Sequence, residues 1–443
     1  MRKNYFLSIA LVIVLQSFSQ SFTKTLISNN QANGAFGLIE YDINGDGSFD
    51  LIGTSKNDNS VLYFINNGSG NFTQHVIDTN LPGAAFAFAG DLDGDSDLDF
   101  AAVGSSKLVW YENDGSFNFT SHDIANLTDP NFVGIFDADG DGDNDIGVAI
   151  TGENYITAFF NDGSASFSRL NAISVNSPKM FHGGDFNADG TPDILAPSFG
   201  NGTIKWYYFN GLYFTSGGTV TTGFNGVWGT EGVDMDGDGD YDVVAAAYTD
   251  NTIAWFENDG SGTNFTRHDI DTSLNHAMYT RTIDFDYDGD KDIVATGNGT
   301  GGSGSEVVLY TNDGNQNFTK HVLDNTSQGP AWFAVQDFYG NGVRDIAFAA
   351  DLSNEFDLLI QQTSAISNPD INSFIITSNP GHEQVVLSSE KPIKNIILFD
   401  LAGRKLMKTS RQIINLTHIP RGTYIIKAVF EDGSLGTKKL IVD

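Results

Sequence analysis

Residues 136–147 read "FDADGDGDNDIG", with five aspartates in the nine positions from Asp137 to Asp145. Two carboxylates about 4 Å apart repel by about 1 kcal/mol in water and about 4 kcal/mol near a protein surface. A loop so charged either stays open to solvent or gathers its oxygens around a cation.

Six further copies of the loop help to choose. "DINGDGSFD" begins at Asp42, "DLDGDSDLD" at Asp91, "DFNADGTPD" at Asp185, "DMDGDGDYD" at Asp234, "DFDYDGDKD" at Asp284 and "DFYGNGVRD" at Asp337. Successive copies, counting the one at Asp137, are 49, 46, 48, 49, 50 and 53 residues apart. A period of this size marks a repeat architecture, and a blade of four short strands needs about 40 to 50 residues. Each loop is preceded by a short strand such as "FAFAGD" and followed by an apolar one such as "DIGVAI" or "DVVAAA". An aromatic strand ("LVWYEN", "IAWFEN"), an "NDGS" turn and an "NFTRHDID"-like strand complete the unit. That gives four strands with hairpin turn chemistry, and no helical periodicity.

The seventh unit lacks its last strand, but "SFTKTLI" (21–27) matches "NFTKHVL" (317–323). The expected fold is all-β: a seven-bladed β-propeller whose N-terminal strand closes the last blade, leaving no long exposed sheet edge.

Six loops carry side-chain oxygens at positions 1, 3, 5 and 9. The candidate ligands are Asp42, Asn44, Asp46 and Asp50; Asp91, Asp93, Asp95 and Asp99; Asp137, Asp139, Asp141 and Asp145. They continue as Asp185, Asn187, Asp189 and Asp193; Asp234, Asp236, Asp238 and Asp242; Asp284, Asp286, Asp288 and Asp292. The alternation is that of an EF-hand loop set between strands, with Gly at position 6 in five of the six copies. Position 7 (Ser48, Asp97, Asp143, Thr191, Asp240, Asp290) would offer only its backbone carbonyl, so its side chain is free to vary. Hard oxygen donors in a flexible loop select Ca²⁺, at about six sites. Repetition in every unit makes these ions mainly structural. The seventh loop, with Tyr339 and Asn341 at positions 3 and 5, is expected to bind weakly or not at all.

The ends and the charge distribution set the context. Arg2 and Lys3, an apolar run over 5–15, and Ser17 and Ser19 describe a secretory signal peptide over 1–19. Residues 1–370 hold 13 Lys+Arg against 50 Asp+Glu, a net of −37; residues 371–443 hold 10 against 6, a net of +4. The propeller is therefore placed at 20–362, a polar linker at 363–370 and a second domain, a small β-sandwich, at 371–443. An overall charge of −33 argues against nucleic acid and anionic membranes as partners. No later segment is apolar enough to span a bilayer, and a chain with no cysteine has no disulfide, thiolate site or Cys nucleophile.

The loop together with "LVWYENDGS" and "NFTSH" resembles the FG-GAP/VCBS-type repeat found in integrin α-subunit propellers and many secreted bacterial proteins, over about 21–362. That resemblance implies Ca²⁺ in the loops and binding or adhesion more often than catalysis. The tail text "FIITSNPGHEQVVL", "IKNIILFDLAGRKL", "INLTHIPRGTYIIKAVFEDG" and "TKKLIVD" resembles the type A sorting domain of type IX secretion. Its marks are Asn379-Pro380, Gly403, Gly422–Tyr424 and Lys438-Lys439. It implies passage through the periplasm to the outside or the outer cell surface, with the type IX machinery as partner.

A ligand site is sought where the repeat fails to repeat. Three residues before each loop stand Ile39, Phe88, Gly134, His182, Glu231, Arg281 and Ala334. His182, Glu231 and Arg281 fall in adjacent blades, with Lys179, Trp228, His276, Tyr279 and Trp332 nearby. Aromatics beside polar groups at a channel mouth suit an extracellular glycan or protein ligand. The plainer alternative is that these residues pair with one another. The expected function is non-catalytic binding or adhesion. The enzymatic alternative is a polysaccharide lyase, with Arg281 neutralising a uronate and His182 or Tyr279 as base. His75, His122, His268 and His321 recur after "FT" and are expected to be structural.

Overall fold

A computed structural model describes residues 21–170, 173–190, 193–211 and 213–362, and in the tail 375–377, 384–389, 391–399, 405–417, 419–430 and 435–442. The signal segment 1–19, the linker 363–370, Thr191, Asn379, Pro380 and Gly403 lie outside the described residues. Among the described residues every regular element is a strand, and no helix is long and apolar enough to cross a membrane. Phe22–Gln361 forms one compact unit, and the residues from Gln362 onward belong to another.

The first unit repeats an antiparallel four-stranded sheet. In its first copy Ala35–Tyr41, Asp50–Ser55, Ser60–Asn66 and Phe72–Asp78 lie side by side in chain order. Five further sheets from Phe86–Gly90 to Phe318–Asp324 follow the same order, one of them with Ile173–Ser174 added beside its third strand, consistent with propeller blades. Burial explains the strand texts. Each second strand, such as Asp145–Ile150, is buried at every position and therefore mostly apolar after its opening aspartate. Each fourth strand, such as Phe265–Asp271, keeps half of its residues in solvent and so alternates. The third-to-fourth turns need glycine: Gly115, Gly163, Gly260 and Gly314 all have φ between +74 and +80. A Cβ there would also come within 2.7 Å of the position-7 carboxylates of Asp97, Asp143, Asp240 and Asp290.

The seventh sheet takes its outer strand from the other end of the unit. Ser21–Ser28 lies beside Glu355–Gln362, followed by Asp345–Ala350 and Pro330–Gln336. Lys24 fastens it, with Nζ donating to Thr326 Oγ1 (2.7 Å) and Ser327 Oγ (2.8 Å) and lying 3.8 Å from both Asp324 and Asp357.

Five residues before each loop's first aspartate stand Gly37, Phe86, Phe132, Met180, Gly229, Tyr279 and Trp332, all but Met180 within the first strands. Four of these rings stack into an aromatic layer. Trp332 is 4.4 Å from Phe86, 4.2 Å from Tyr279 and 5.4 Å from Phe132, centroid to centroid.

In the tail unit a three-stranded sheet (Ile375–Thr377, Gln384–Ser388, Ile413–Asn415) and a four-stranded sheet (Lys405–Thr409, Ile393–Phe399, Gly422–Phe430, Leu435–Val442) share one core. Val385, Leu387 and Ile414 of the first meet Ile396, Leu398 and Ile426 of the second. Tyr424 Oη donates to Pro420 O at 2.6 Å, fixing the turn before the longest strand.

Candidate metal centres and candidate ligand site

Loop geometry is set by backbone amides that turn toward the carboxylates. Asp137 accepts from Gly140 N (2.7 Å) and Gly142 N (3.1 Å), and Asp141 accepts from Asp143 N (3.0 Å). The position-9 aspartate is the anchor. Asp145 is fully buried; its Oδ2 accepts from Ala138 N (2.9 Å) and its Oδ1 from Asn161 N (2.8 Å). Asp50, Asp99, Asp242 and Asp292 repeat both bonds. Burial, opposed by these amides, pushes the Asp145 carboxyl up to about 6.

In four loops one oxygen from each of positions 1, 3 and 9 converges to within 4.8 Å: Asp91, Asp93 and Asp99; Asp137, Asp139 and Asp145; Asp234, Asp236 and Asp242; Asp284, Asp286 and Asp292. Ca²⁺–oxygen distances of about 2.4 Å put opposed ligands no more than about 5 Å apart, so an all-oxygen triplet of this size fits that ion. In the first and fourth loops the position-3 residue is Asn44 or Asn187, whose amide oxygen accepts from the amide of Asp46 or Asp189 at 2.9 Å. The position-5 carboxylates of Asp46, Asp95, Asp141, Asp238 and Asp288 instead receive the position-7 amide, at 2.7 to 3.0 Å. The seventh loop keeps the position-1 and position-9 hydrogen bonds, through Asp337 and Asp345, without the acidic triplet.

Sequence reasoning missed the residue that holds position 9. Asn66, Asn113, Asn161, Asn258 and Asn312, the last residue of "YEN" and its equivalents, give the backbone amide. Their side chains donate to the position-8 carbonyls of Phe49, Leu98, Asn144, Tyr241 and Lys291. Repetition of that asparagine was the available signal. Phe209 replaces it in the fourth repeat, and Asp193 Oδ1 is left buried with no partner.

The non-repeated residues divide by height along the first strands. Nearest the loops, Arg281 is ion-paired with Glu40, Glu231 accepts from Thr282 N (2.5 Å), and His182 Nδ1 lies 2.6 Å from Gly183 O. Burial raises the Glu231 carboxyl to about 7 and lowers the His182 imidazole. His182 also borders an apolar cavity of about 650 Å³ lined by Phe88, Phe132, Phe136, Phe181 and Phe214. Gly183 helps to open it, since a Cβ there would meet only Asp193 O, at 3.9 Å.

Tyr279 and Trp332 belong to the aromatic layer in the middle, and Trp332 is 2% exposed. Trp228, His276 and Lys179 gather at the far end. Trp228 packs against Phe36 (6.3 Å), Phe199 (5.6 Å) and Tyr248 (5.6 Å); Tyr248 stacks on His276 at 4.0 Å. The fourth-strand histidines are taken up within their own blades: His75 stacks on Tyr63, His122 on Trp110 and His268 on Trp255, and His321 Nε2 lies 3.0 Å from Thr311 Oγ1.

The profile of FG-GAP-like repeats matches residues 42–102, 91–148, 137–196, 185–245 and 234–295, and the chain belongs to that family. The profile of the secretion system C-terminal sorting domain matches residues 378–443, which marks the chain for secretion or the cell surface through the type IX machinery. No curated protein matches the chain. Among solved structures, BBS1N in its complex with ARL6DN is similar at 13% identity and a TM-score of 0.52, over 78% of this chain and 98% of that one. The extracellular domain of a hybrid two-component system from B. thetaiotaomicron gives 13% identity and 0.50, over 95% and 57%. An Agrocybe aegerita lectin that recognises non-reducing terminal N-acetylglucosamine gives 18% and 0.47, over 74% and 86%. At these identities the first two likenesses bear on fold alone.

Proposed function

We propose that the chain is a closed, Ca²⁺-stapled seven-bladed propeller that binds an extracellular glycan or protein without catalysing its conversion. The convergence of three carboxylate oxygens within 4.8 Å in four separate loops carries the metal reading. Like charges held that close oppose folding until a cation joins them, so metal affinity becomes folding free energy in a chain without disulfides. The pairing of Ser21–Ser28 with Glu355–Gln362 supports ring closure.

Binding is favoured over lyase chemistry by the contacts of the groups a lyase would use. Arg281 is committed to Glu40, and burial holds the Tyr279 hydroxyl far above the range of a working base. The decisive experiment is thermal melting of the purified protein with CaCl₂ and then with excess EDTA. A fall in Tm of well over 10 °C, reversed by Ca²⁺ and matched by calorimetric uptake, is expected. An unchanged Tm with no heat of binding overturns the metal reading, and turnover of a polysaccharide overturns the non-catalytic one.

A further inference from the structure

At the end of the first strands remote from the acidic loops, two ammonium groups lie on aromatic rings. Lys56 Nζ is 3.1 Å from the centroid of Phe36, and Lys179 Nζ is 5.2 Å from that of Trp228. The two rings are 6.3 Å apart, so both lysines lie on one aromatic pair. Neither ammonium has a carboxylate partner within 4.0 Å among the described residues; Lys179 Nζ reaches only Thr151 Oγ1, at 3.4 Å. In a chain of net charge −33, two cations set on rings with no direct carboxylate partner, offset only by the longer-range charges of Asp351 and Asp129, need a reason.

The same place is non-repeated and strained. Six residues after each position-9 aspartate, at or just past the end of the second strand, stand Lys56, Ser105, Thr151, Phe199, Tyr248, Asn298 and Asp351, with no two alike. The residue eight before each loop is left-handed in every repeat. Four are glycines, but Asp129, Ser177 and His276 adopt φ of 52 to 54. Non-glycine residues in that region cost about 1 kcal/mol or more, and such strain is kept where a side chain must be presented. Asp129 borders a cavity of about 560 Å³ beside Lys56 and Asn131, and His276 stacks on Tyr248. Burial lowers the Lys56 ammonium to about 8; the Asp351 and Asp129 charges oppose the fall and the Lys179 charge adds to it.

We infer that this end of the first strands is a subsite for an acidic saccharide, a sugar carrying a carboxylate such as a uronic acid. Its carboxylate sits between Lys56 and Lys179, and the apolar face of its ring lies on Trp228. Lysines beside aromatic faces supply both halves of that recognition: charge for the carboxylate and a π surface for the sugar's C–H groups. Asp129 offers carboxylate oxygens for hydroxyl groups, and the Asn131 amide, spent on Asp129 O and Thr151 Oγ1, holds that turn in place. This rests on the binding role proposed above and names its ligand class.

The test is calorimetry on the full chain in saturating CaCl₂, titrated with a galacturonate oligosaccharide, a glucuronate oligosaccharide and a neutral glucose oligosaccharide. At least one uronate should bind, with affinity falling as salt rises, while the neutral sugar binds at least tenfold more weakly. Lys56→Met and Lys179→Met, which keep the apolar stems, should each weaken the uronate at least tenfold without moving Tm downward. Trp228→Ala should weaken it too. Uronate binding unchanged in the doubly substituted protein overturns the subsite. Binding of the neutral sugar alone, indifferent to both lysines, overturns it while leaving the binding role intact. Absence of binding by all three, with the fold preserved, removes the saccharide reading altogether.

Discussion

Arg281 and Glu40 form an ion pair between first strands that lie 241 residues apart in the chain. Glu40 is 8% exposed, and its second oxygen has no partner, so the arginine is the main compensation for that carboxylate. Arg281→Met should therefore cost about 2 to 3 kcal/mol in denaturant unfolding. Adding Glu40→Met should restore much of the loss. Equal stability of wild type and Arg281→Met would show the pair to be incidental.

Two aspartates at the same loop position should behave differently. Asp137 belongs to a converging triplet, whereas Asp337 faces Tyr339 and Asn341. Both accept loop amides, so either alanine substitution should lower stability by about 1 kcal/mol without metal. Only Asp137→Ala should lower the number of Ca²⁺ bound by one in calorimetry. With Ca²⁺ at a hundred times Kd it should lose about 2.7 kcal/mol more. Equal stoichiometry in both variants counts against the triplet.

Glu231 should make stability depend on pH. Burial raises its carboxyl to about 7 against an ordinary value near 4.5, despite the Thr282 amide and Arg281. The folded state favours the protonated acid, so the contribution is complete below about pH 4.5 and is lost as pH rises through 7. Relative to Glu231→Gln, the wild type should lose at most about 3 kcal/mol between pH 4.5 and 7.5 at fixed Ca²⁺. Parallel pH profiles would show that burial leaves this carboxyl unshifted.

Lys24 should govern the attachment of the first strand. Its carboxylate neighbours Asp324 and Asp357 are 7% and 3% exposed. Lys24→Met takes the cation from both, leaving them only the hydrogen bonds from Thr326 and Ser327, for a loss of about 2 kcal/mol. Hydrogen exchange should show Ser21–Ser28 opening before the rest of its sheet. Unaltered protection there would mean the backbone ladder suffices.

The repeated parts of the fold were legible because their causes are local. Alternation, turn glycines and the aspartate spacing are each written within about ten residues. The match of "SFTKTLI" to "NFTKHVL" likewise pointed to the partner of the first strand. Relationships between repeats were harder to see. Glu40 carries no mark that assigns it to Arg281. Counting three residues back from the loops placed His182, Glu231 and Arg281 at one height, but Trp228 lies three residues further from its loop. At about 3.3 Å per residue, that separates the two groups by about 10 Å, with Tyr279 and Trp332 between them. Lys56 follows a second strand whose text is otherwise uniform, and only comparing that column across repeats singles it out.

One sheet unites residues 21–28 with residues 330–362. During synthesis, the strand at residues 21–28 must wait for residue 355 before it can find its neighbour. A prematurely ended product keeps a raw β edge, open to aggregation and to proteases. Quality control is thus written into the connectivity: a copy is either finished or conspicuous.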